Sequence, residues 1–299
     1  MIKRLLILTA LVLPFAFGQT LTDALGDEVN VSDTSRVISL GGDITEIIFA
    51  LGQEEHLVAR DSSSGYPTAV STLPEVGYVR RLATEGVLSL EPSLIITSED
   101  AGPPEVLTQI RQAGVPLFVV PTEESIEGAK AKISAIAQIF DAQAQADDLN
   151  RQIDLDVLEA QLYTDAARAS DTPSVMFIYA RGAGTLSVSG TDTSAHAMIE
   201  LAGARNAVVE YEGYKPLTAE AAVAAAPDML LFLESGLASV GGAEGLTELP
   251  GLALTPAYDS NQVLAMDGLY LLGFGPRVGQ AIKALTLAMY PDVDVATAP

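Results

Sequence analysis

The chain of 299 residues contains no cysteine and no tryptophan, and its only histidines are His56 and His196. Without cysteine there can be neither a disulfide framework nor a thiol nucleophile, so stability must come from ordinary core burial. Two separate histidines do not form the clustered ligand set of a zinc or manganese site. We interpret both as surface or helix-end residues, with a reservation for His196, because it begins a helix that could face a ligand.

Basic residues are scarce: 16 Lys and Arg stand against 39 Asp and Glu, which gives a formal net charge of −23 at neutral pH. Such a surface repels phosphate backbones and anionic headgroups, so we expect neither nucleic-acid binding nor direct membrane insertion. No serine lies in a G-x-S-x-G elbow, and we interpret acidic pairs such as Glu123–Glu124 as solvated surface. The sequence therefore indicates no reaction, and an enzyme is only a minor alternative.

Long apolar runs are missing except at the amino terminus. Two positive charges precede an apolar run from Leu5 to Phe17, and the small residue Gly18 follows. This pattern predicts a signal peptide over residues 1–18. The run of about 13 residues is shorter than the roughly 20 of a bilayer span, which disfavours the alternative of a membrane anchor. With no cysteine for lipid attachment, we expect a soluble, monomeric protein in a bacterial periplasm.

Short apolar runs alternate with helical patterns through most of the remaining chain. Strand-like runs such as RVISL (36–40) and SLIITS (93–98), separated by helical patterns, predict βαβ units on parallel sheets. Residues 125–168 differ, because they contain no proline, a single glycine and apolar residues at helical spacing. We interpret this segment as a helical linker between two α/β lobes, 19–124 and 169–299. A coiled-coil partner helix is the alternative.

A weak internal repeat supports two related lobes. ITEIIFALG, ending at Gly52, matches AHAMIELAG, ending at Gly203, at an offset of 151. LATEGVLSLEPSLII around Glu85 matches LTAEAAVAAAPDMLL around Glu220 at an offset of only 135. The first lobe therefore carries a longer connection, which contains Tyr78. Two lobes joined by a rigid helix leave a cleft between them, where ligands commonly bind.

Tyr78 lies in EVGYVRRLATEG, next to Arg80 and Arg81 in a chain with few arginines. A phenol ionises near pH 10, so an anionic phenol ligand at neutral pH requires a nearby cation or metal. A phenolate beside guanidinium groups suits a ferric ion, and tyrosine is one of the protein ligands of haem iron. The alternative is a tyrosine that packs in a loop beside exposed arginines.

Five stretches together resemble the periplasmic haemin-binding proteins of bacterial haem ABC importers: RVISLGGDITEIIFALG, DSSSGYP, LPEVGYVRRLATEGVLSLEPSLII, SEDAGPP and LLGFGPR. The resemblance covers residues 36–291, and Gly-Tyr-x-Arg-x-Leu and LLGFGPR are its most specific parts. It implies the class III periplasmic binding protein fold, with two Rossmann-like α/β lobes, parallel sheets and a long rigid α-helix between them. It also implies a carrier of haemin rather than an enzyme, with cobalamin or ferric-siderophore carriers as the alternative.

The same resemblance implies roles for individual residues. Tyr78 matches the axial ligand of the haem iron, and Arg80 matches the arginine that biases this phenol toward ionisation. Glu85 and Glu220 match the acidic residues that dock onto arginines of the inner-membrane permease, which works with its ATPase. One position departs from the pattern, because many relatives have an arginine that reaches across the cleft where this chain has Ser235.

The departure at Ser235 leaves the cation of the second wall unassigned. Arg181, Lys215 and Arg277 are candidates for pairing with haem propionates, and Arg81 has no assigned role. We expect apolar walls to cover the porphyrin faces, because burial of apolar surface drives such binding. We also expect the linker helix to restrict the lobes to a small closure.

Overall fold

The computed structural model describes residues 18–168 and 172–292. Residues 1–17 of the predicted signal peptide, and stretches 169–171 and 293–299 of the predicted second lobe, lie outside the described residues. The strands are β1 Gln19–Thr22, β2 Glu28–Val31, β3 Val37–Leu40, β4 Leu57–Arg60, β5 Leu94–Thr97, β6 Leu117–Val119, β7 Ser174–Ala180, β8 Leu186–Ser189, β9 Arg205–Asn206, β10 Tyr214–Pro216, β11 Met229–Leu233 and β12 Val263–Met266. The α-helices are α1 Gly42–Ala50, α2 Thr84–Leu88, α3 Pro104–Gln112, α4 Ile126–Ile139, α5 Gln143–Arg168, α6 Ser194–Leu201, α7 Ala219–Ala225, α8 Glu234–Ser239, α9 Gly242–Gly245, α10 Pro256–Asp259, α11 Gly268–Leu272 and α12 Val278–Met289.

The first lobe is built on a parallel sheet with the strand order β4-β3-β5-β6. The central strands β3 and β5 are buried along their whole length, as expected where helices cover both faces of a parallel sheet. The helices α1, α2 and α3 make the crossovers between successive strands. The alternation of strands and helices predicted for this lobe is therefore confirmed.

The second lobe has a mixed sheet with the strand order β10-β8-β7-β11-β12, and β9 pairs with β7. Strands β7, β11 and β12 run parallel, whereas β8 and β10 run antiparallel to their neighbours. The connection from β7 to β8 is a tight turn in which the Arg181 N–H donates to the Thr185 carbonyl at 3.0 Å. A turn this short cannot hold a crossover helix, so the two strands form a hairpin. The parallel core was predicted, and the antiparallel edge was not.

The linker consists of two helices, α4 and α5. The Ser125 side chain caps α4 by accepting from the Gly128 N–H at 2.9 Å. Helix α5 rises about 1.5 Å per residue and therefore extends over roughly 39 Å. Helix α12 lies closely along it, since a Cβ placed on Gly279 would come within 2.6 Å of the Asp156 Cβ. Within 18–168 and 172–292, no helix is both long enough and apolar enough to cross a membrane.

A single buried apolar cluster extends through both lobes. It includes Ile47 of α1, Ile133 of α4 and Ile153 of α5, and it continues to Phe177 of β7 and Leu285 of α12. Since close-packed interiors resist deformation, a shared core of this kind couples the orientation of one lobe to that of the other. The long helix is therefore one part of a larger packed interface between the lobes.

Candidate functional site

A cleft of about 840 Å³ lies between the lobes and is lined by residues of both. Its size is within the roughly 300–1,000 Å³ of small-molecule sites. Much of its wall follows the carboxyl ends of parallel strands: Asp43 comes after β3, Ser98 after β5, Thr122 after β6 and Arg181 after β7. Ligands of α/β proteins bind at this edge of the sheet.

Tyr78 reaches the cleft from a loop that buried hydrogen bonds hold in place. Gly77 has φ = 95°, a backbone conformation that favours glycine and that turns the chain just before the tyrosine. The fully buried Asp61 accepts from the Ser64 hydroxyl at 2.9 Å and from the Val79 N–H at 3.4 Å. The phenol is therefore presented by a fixed backbone rather than by a free loop.

Arg80 lies beside this phenol. Its guanidinium forms an ion pair with Asp100 and lies close enough to the Tyr78 hydroxyl to interact with it electrostatically. Burial alone lowers the pKa of Arg80, but the hydrogen bond and charge of Asp100, with a smaller effect from Tyr78, raise that pKa overall. The predicted pair Tyr78 and Arg80 thus lies together in the cleft, with the cation next to the phenol.

A second cation approaches Tyr78 from the opposite lobe. The Arg181 Cζ lies 5.7 Å from the centroid of the Tyr78 ring and 5.4 Å from that of Tyr179, both within cation–π range. Ser235, at the position where the resemblance implies an arginine, is exposed on α8 and is not among the described residues that line the cleft. The cross-cleft cation of this chain is therefore Arg181, which sequence reasoning named only as one of three candidates.

The other two candidate cations are engaged elsewhere. Lys215 lies on the edge strand β10, and its Nζ is 4.4 Å from the centroid of the Tyr211 ring. Arg277 makes a bidentate ion pair with Glu46, with Nε to Oε1 at 2.6 Å and Nη2 to Oε2 at 2.8 Å. Since this pair occupies both of those donor groups, Arg277 is not a free cation of the cleft.

The ion pair Arg277–Glu46 joins the two lobes, and a second ion pair, Lys132–Asp43, joins the linker helix α4 to the first lobe; we call them the hinge pairs. The Glu46 and Lys132 side chains are each only 5% exposed. Lys132 also donates to the carbonyl of Gly273 in the second lobe at 3.4 Å. The LLGFGPR stretch, which supplies Gly273 and Arg277, is therefore mainly an inter-lobe connection, although Leu272 to Phe274 also line the cleft.

Tyr214 lies on the second-lobe wall and differs electrostatically from Tyr78. Its ring packs edge-on against Phe177 and Tyr179, with centroids 6.4 Å apart in each case. Burial of its hydroxyl, reinforced by the charge of Glu124, raises the pKa of Tyr214 to about 12. This phenol is therefore held neutral, which makes it a poor anionic ligand.

The cleft walls are more polar than predicted. Their large ring surfaces come from Tyr78, Tyr179 and Tyr214, and Leu272 and Phe274 add apolar contacts. Most of the remaining described lining residues are polar or charged. A flat aromatic ligand would therefore stack on tyrosine faces rather than on an aliphatic wall.

His196 does not lie in the cleft. It lines a separate cavity of about 670 Å³ beside α5, with Glu200 among its neighbours. Its Nδ1 is 3.4 Å from Asn206 Nδ2, and its Nε2 is 4.0 Å from a Glu200 carboxylate oxygen. In the part of the chain that the structure describes, no group of three or more His, Cys, Asp or Glu side chains could hold a metal ion.

Glu85 and Glu220 occupy equivalent places in the two lobes. Each lies near the start of a short helix, α2 or α7, that leads into a central strand, β5 or β11. Both are exposed, and neither has an ion-pair partner among the described residues. The positions aligned by the internal repeat thus present two free carboxylates.

Comparisons with solved structures show the same architecture. The periplasmic heme-binding protein RhuT from Roseiflexus sp. RS-1, in apo form, is 45% identical with a TM-score of 0.83, and the match covers 88% of this chain and all of that one. The periplasmic heme-binding protein BhuT in complex with two hemes is 39% identical with a TM-score of 0.81, covering 87% of this chain and 99% of that one.

Curated relatives are more distant. An uncharacterized ABC transporter substrate-binding lipoprotein, YvrC of Bacillus subtilis (strain 168), is 25% identical over 280 residues, which is 92% of this chain and 87% of the relative. The vitamin B12-binding protein of Vibrio parahaemolyticus serotype O3:K6 is 27% identical over 144 residues, 48% of this chain and 50% of the relative.

A family model adds the decisive match. The model described as periplasmic binding protein matches residues 37–269, which span the first lobe, the linker and most of the second lobe. The two α/β lobes and the long helix between them agree with this match and with the solved neighbours. The chain belongs to the periplasmic binding protein family.

Proposed function

We propose that this protein is a carrier, not an enzyme, which captures ferric haem in the inter-lobe cleft and delivers it to an inner-membrane ABC transporter. The observation that carries the proposal is the convergence of Tyr78, Arg80 and Arg181 at the sheet edge where ligands bind. Two solved neighbours that are periplasmic heme-binding proteins, each matching nearly nine tenths of the chain, support the same ligand.

In the proposed complex, the Tyr78 phenolate is the axial ligand of the ferric iron. An anionic oxygen suits a ferric ion, and tyrosine ligation is known for haem. Arg80, held by Asp100, keeps a positive charge beside the oxygen that would bind the iron. Arg80 therefore acts on the iron through Tyr78 rather than by its own contact.

The haem propionates are the proposed partners of Arg81 and Arg181. Both line the cleft, one in each lobe, and neither has a carboxylate partner in the ranges described. In a chain with a net charge of −23, an anionic ligand needs local positive charge at its binding site. This gives Arg81 a role and makes Arg181 the substitute for the arginine that the resemblance implies at the position of Ser235.

The alternative ligand is cobalamin, which the similarity to a vitamin B12-binding protein favours. That similarity covers only 48% of this chain, whereas the matches to heme-binding neighbours cover 87% and 88% at higher identity. A phenol between two guanidinium groups also fits ferric iron better than a complete corrin chelate. Haem is therefore the preferred ligand.

The proposed organisation is an exported protein with a signal peptide over 1–18, a first lobe over 19–124, a helical linker over 125–168 and a second lobe over 169–299. The start of α4 at Ile126 and the end of α5 at Arg168 support the linker bounds. Family membership supports an extracytoplasmic location, in agreement with the expected periplasmic one.

Tyr78→Phe tests the iron ligand. We expect haemin titration to show binding weakened by at least about tenfold and the loss of the high-spin ferric spectrum, because the phenyl ring offers no oxygen to the iron. Tyr163→Phe on α5, outside the cleft, is the matched control and should behave as wild type. If Tyr78→Phe leaves both affinity and spectrum unchanged, the ligand assignment is wrong.

Glu85 and Glu220 are proposed to dock onto the permease. Charge reversal at both positions, Glu85→Lys with Glu220→Lys, should abolish haem uptake in cells while the purified variant binds haemin normally, because neither carboxylate lines the cleft. Reversal of Glu244, another exposed acidic residue, serves as a control for net charge. Uptake at the wild-type rate by the double variant would refute the docking role.

A further inference from the structure

Helix α5 carries an exposed apolar row that the proposed function does not use. Leu155, Leu158 and Leu162 are 55%, 57% and 55% exposed, and we call them the leucine row. Their spacing of three and four residues places them on one helix face. Val157 and Ala160 are buried on the roughly opposite face, against the core. The leucine row therefore points away from the body of the protein.

The leucine row belongs to no site already described. None of its residues is among those that line the cleft, and the docking carboxylates lie on α2 and α7. An exposed row of large apolar side chains is costly for a soluble protein unless something covers it. Its position thus calls for a partner that can bind without obstructing haem capture.

Two of the carboxylates beside the leucine row are paired with lysines. Asp154 pairs with Lys130 at 2.6 Å, and Glu159 pairs with Lys283 at 2.5 Å. The two lysines neutralise two carboxylates that would otherwise add to the repulsion between acidic copies. A second acidic copy of the chain can therefore approach here more easily than at an unpaired acidic surface.

Charged residues at the two ends of the leucine row indicate how the α5 helices of two copies would align. Arg151 precedes Leu158 by seven residues and Asp165 follows it by seven, so all three lie on nearly the same face. If two copies pack antiparallel about a twofold axis at Leu158, Leu158 meets Leu158 of the other copy, and Leu155 lies within one residue of the level of Leu162 of the other copy. Arg151 then faces Asp165 of the other copy, in addition to its exposed pair with Asp148 on its own helix at 2.7 Å, and this opposite-charge contact across the axis occurs twice. A parallel arrangement would instead place Arg151 against itself.

We propose that the leucine row is a self-association surface, through which two copies of this protein form an antiparallel α5–α5 homodimer. Three half-exposed leucines per copy bury well below the roughly 1,200 Å² of a standard stable interface, so the dimer is weak. It forms at protein concentrations of about 0.1 to 1 mM and replaces the expectation of a strict monomer. Both clefts and all docking carboxylates remain open in this arrangement.

Sedimentation velocity of the mature protein from about 10 μM to 1 mM tests the proposal. The wild-type protein should show an increase in weight-average mass with concentration. Leu158→Glu places two carboxylates against each other on the axis and should leave a monomer throughout. Gln161→Glu adds the same charge to the same helix but off the row, and it should still associate. Circular dichroism and haemin titration should match wild type in both variants, which excludes misfolding as the cause.

A charge exchange tests the antiparallel register. Arg151→Asp and Asp165→Arg should each weaken association at least about tenfold, because each brings like charges together across the axis. The double variant restores opposite charges and should recover most of the lost association. A wild-type protein that stays monomeric up to 1 mM, association that survives Leu158→Glu, or a double variant weaker than both single variants would overturn the proposal.

Discussion

The hinge pairs and the cleft use the same residue types in opposite ways. At the hinge, Arg277 and Lys132 are largely buried and matched to the carboxylates of Glu46 and Asp43. In the cleft, the Arg181 guanidinium lies beside two tyrosine rings and has no carboxylate partner among the described residues, and Arg80 shares an exposed pair with Asp100. Buried cations that are paired with carboxylates hold the lobes in their relative orientation. Cations without a carboxylate partner at the ligand-binding edge are available for an anion.

This difference also changes the interpretation of the LLGFGPR stretch. Arg277 is one of the few arginines of the chain, and it follows two glycines and three residues that line the cleft. A direct contact between Arg277 and the ligand was therefore a reasonable hypothesis. Arg277 instead stacks 3.7 Å over the Tyr66 ring and donates to both carboxylate oxygens of Glu46. A motif typical of a ligand class can therefore preserve the geometry between the walls rather than a contact with the ligand.

Breaking the hinge should have the largest effect. Arg277→Ala leaves the Glu46 carboxylate, 5% exposed, without its partner, and we expect the free energy of unfolding to fall by about 3 kcal/mol. Urea unfolding at neutral pH measures this loss. The variant that remains folded should retain the Tyr78-dependent haemin spectrum, because the iron ligand is untouched.

Arg80→Ala is the control for the hinge variant, since it removes an ion pair of the same chemistry in the cleft. The Arg80 and Asp100 side chains are 56% and 64% exposed, so the cost in stability should stay within about 1 kcal/mol. Haemin affinity should fall instead, as the phenol loses its neighbouring cation. Equal losses of stability in the two variants would contradict the distinction between hinge and cleft.

Removing Arg181 or Arg81, the cleft cations without a carboxylate partner among the described residues, should have an intermediate effect, on haemin affinity. Arg181→Ala and Arg81→Ala should each weaken haemin binding about tenfold, because a charged hydrogen bond to a propionate is lost. Wild-type affinity should fall as salt rises, and the double variant should lose most of that dependence. Lys215→Ala, on the edge strand outside the cleft lining, should change neither property; if it does so as strongly as Arg181→Ala, general surface charge rather than the cleft cations governs binding.

Local features of the molecule could be predicted from its sequence. The strand and helix alternation, the long linker helix and the closeness of Tyr78 to Arg80 depend on neighbours in the chain. Their signals are hydrophobic period and adjacency, which a single sequence contains. The antiparallel edge of the second sheet was missed although the five residues between β7 and β8 include Gly182 and Gly184, a hairpin signal, and are too few for a crossover helix.

Contacts between distant segments could not be predicted in the same way. Glu46 and Arg277 are 231 residues apart, and nothing in either segment specifies the other as its partner. Arg181 had one usable signal, since a cation directly after an apolar strand lies at the edge where ligands bind. Its approach to the Tyr78 ring depends on how the two lobes are oriented, which the shared core and the hinge pairs determine together.

The smallest expected effect distinguishes the two phenols of the cleft. Burial of its hydroxyl raises the pKa of Tyr214 to about 12, whereas an unfolded tyrosine ionises near 10. The folded state therefore keeps this proton as pH rises past 10, and the associated stability is complete below pH 10 and lost as pH approaches 12. Tyr211 and Tyr270 also have a raised pKa because they are partly buried, so spectrophotometric titration should show that Tyr214→Phe loses one of several late-ionising phenols. Because a neutral phenol supplies no anion to iron, the same variant should change haemin affinity by less than about threefold. A loss of affinity as large as that of Tyr78→Phe would show that Tyr214, and not Tyr78 alone, contributes to iron binding.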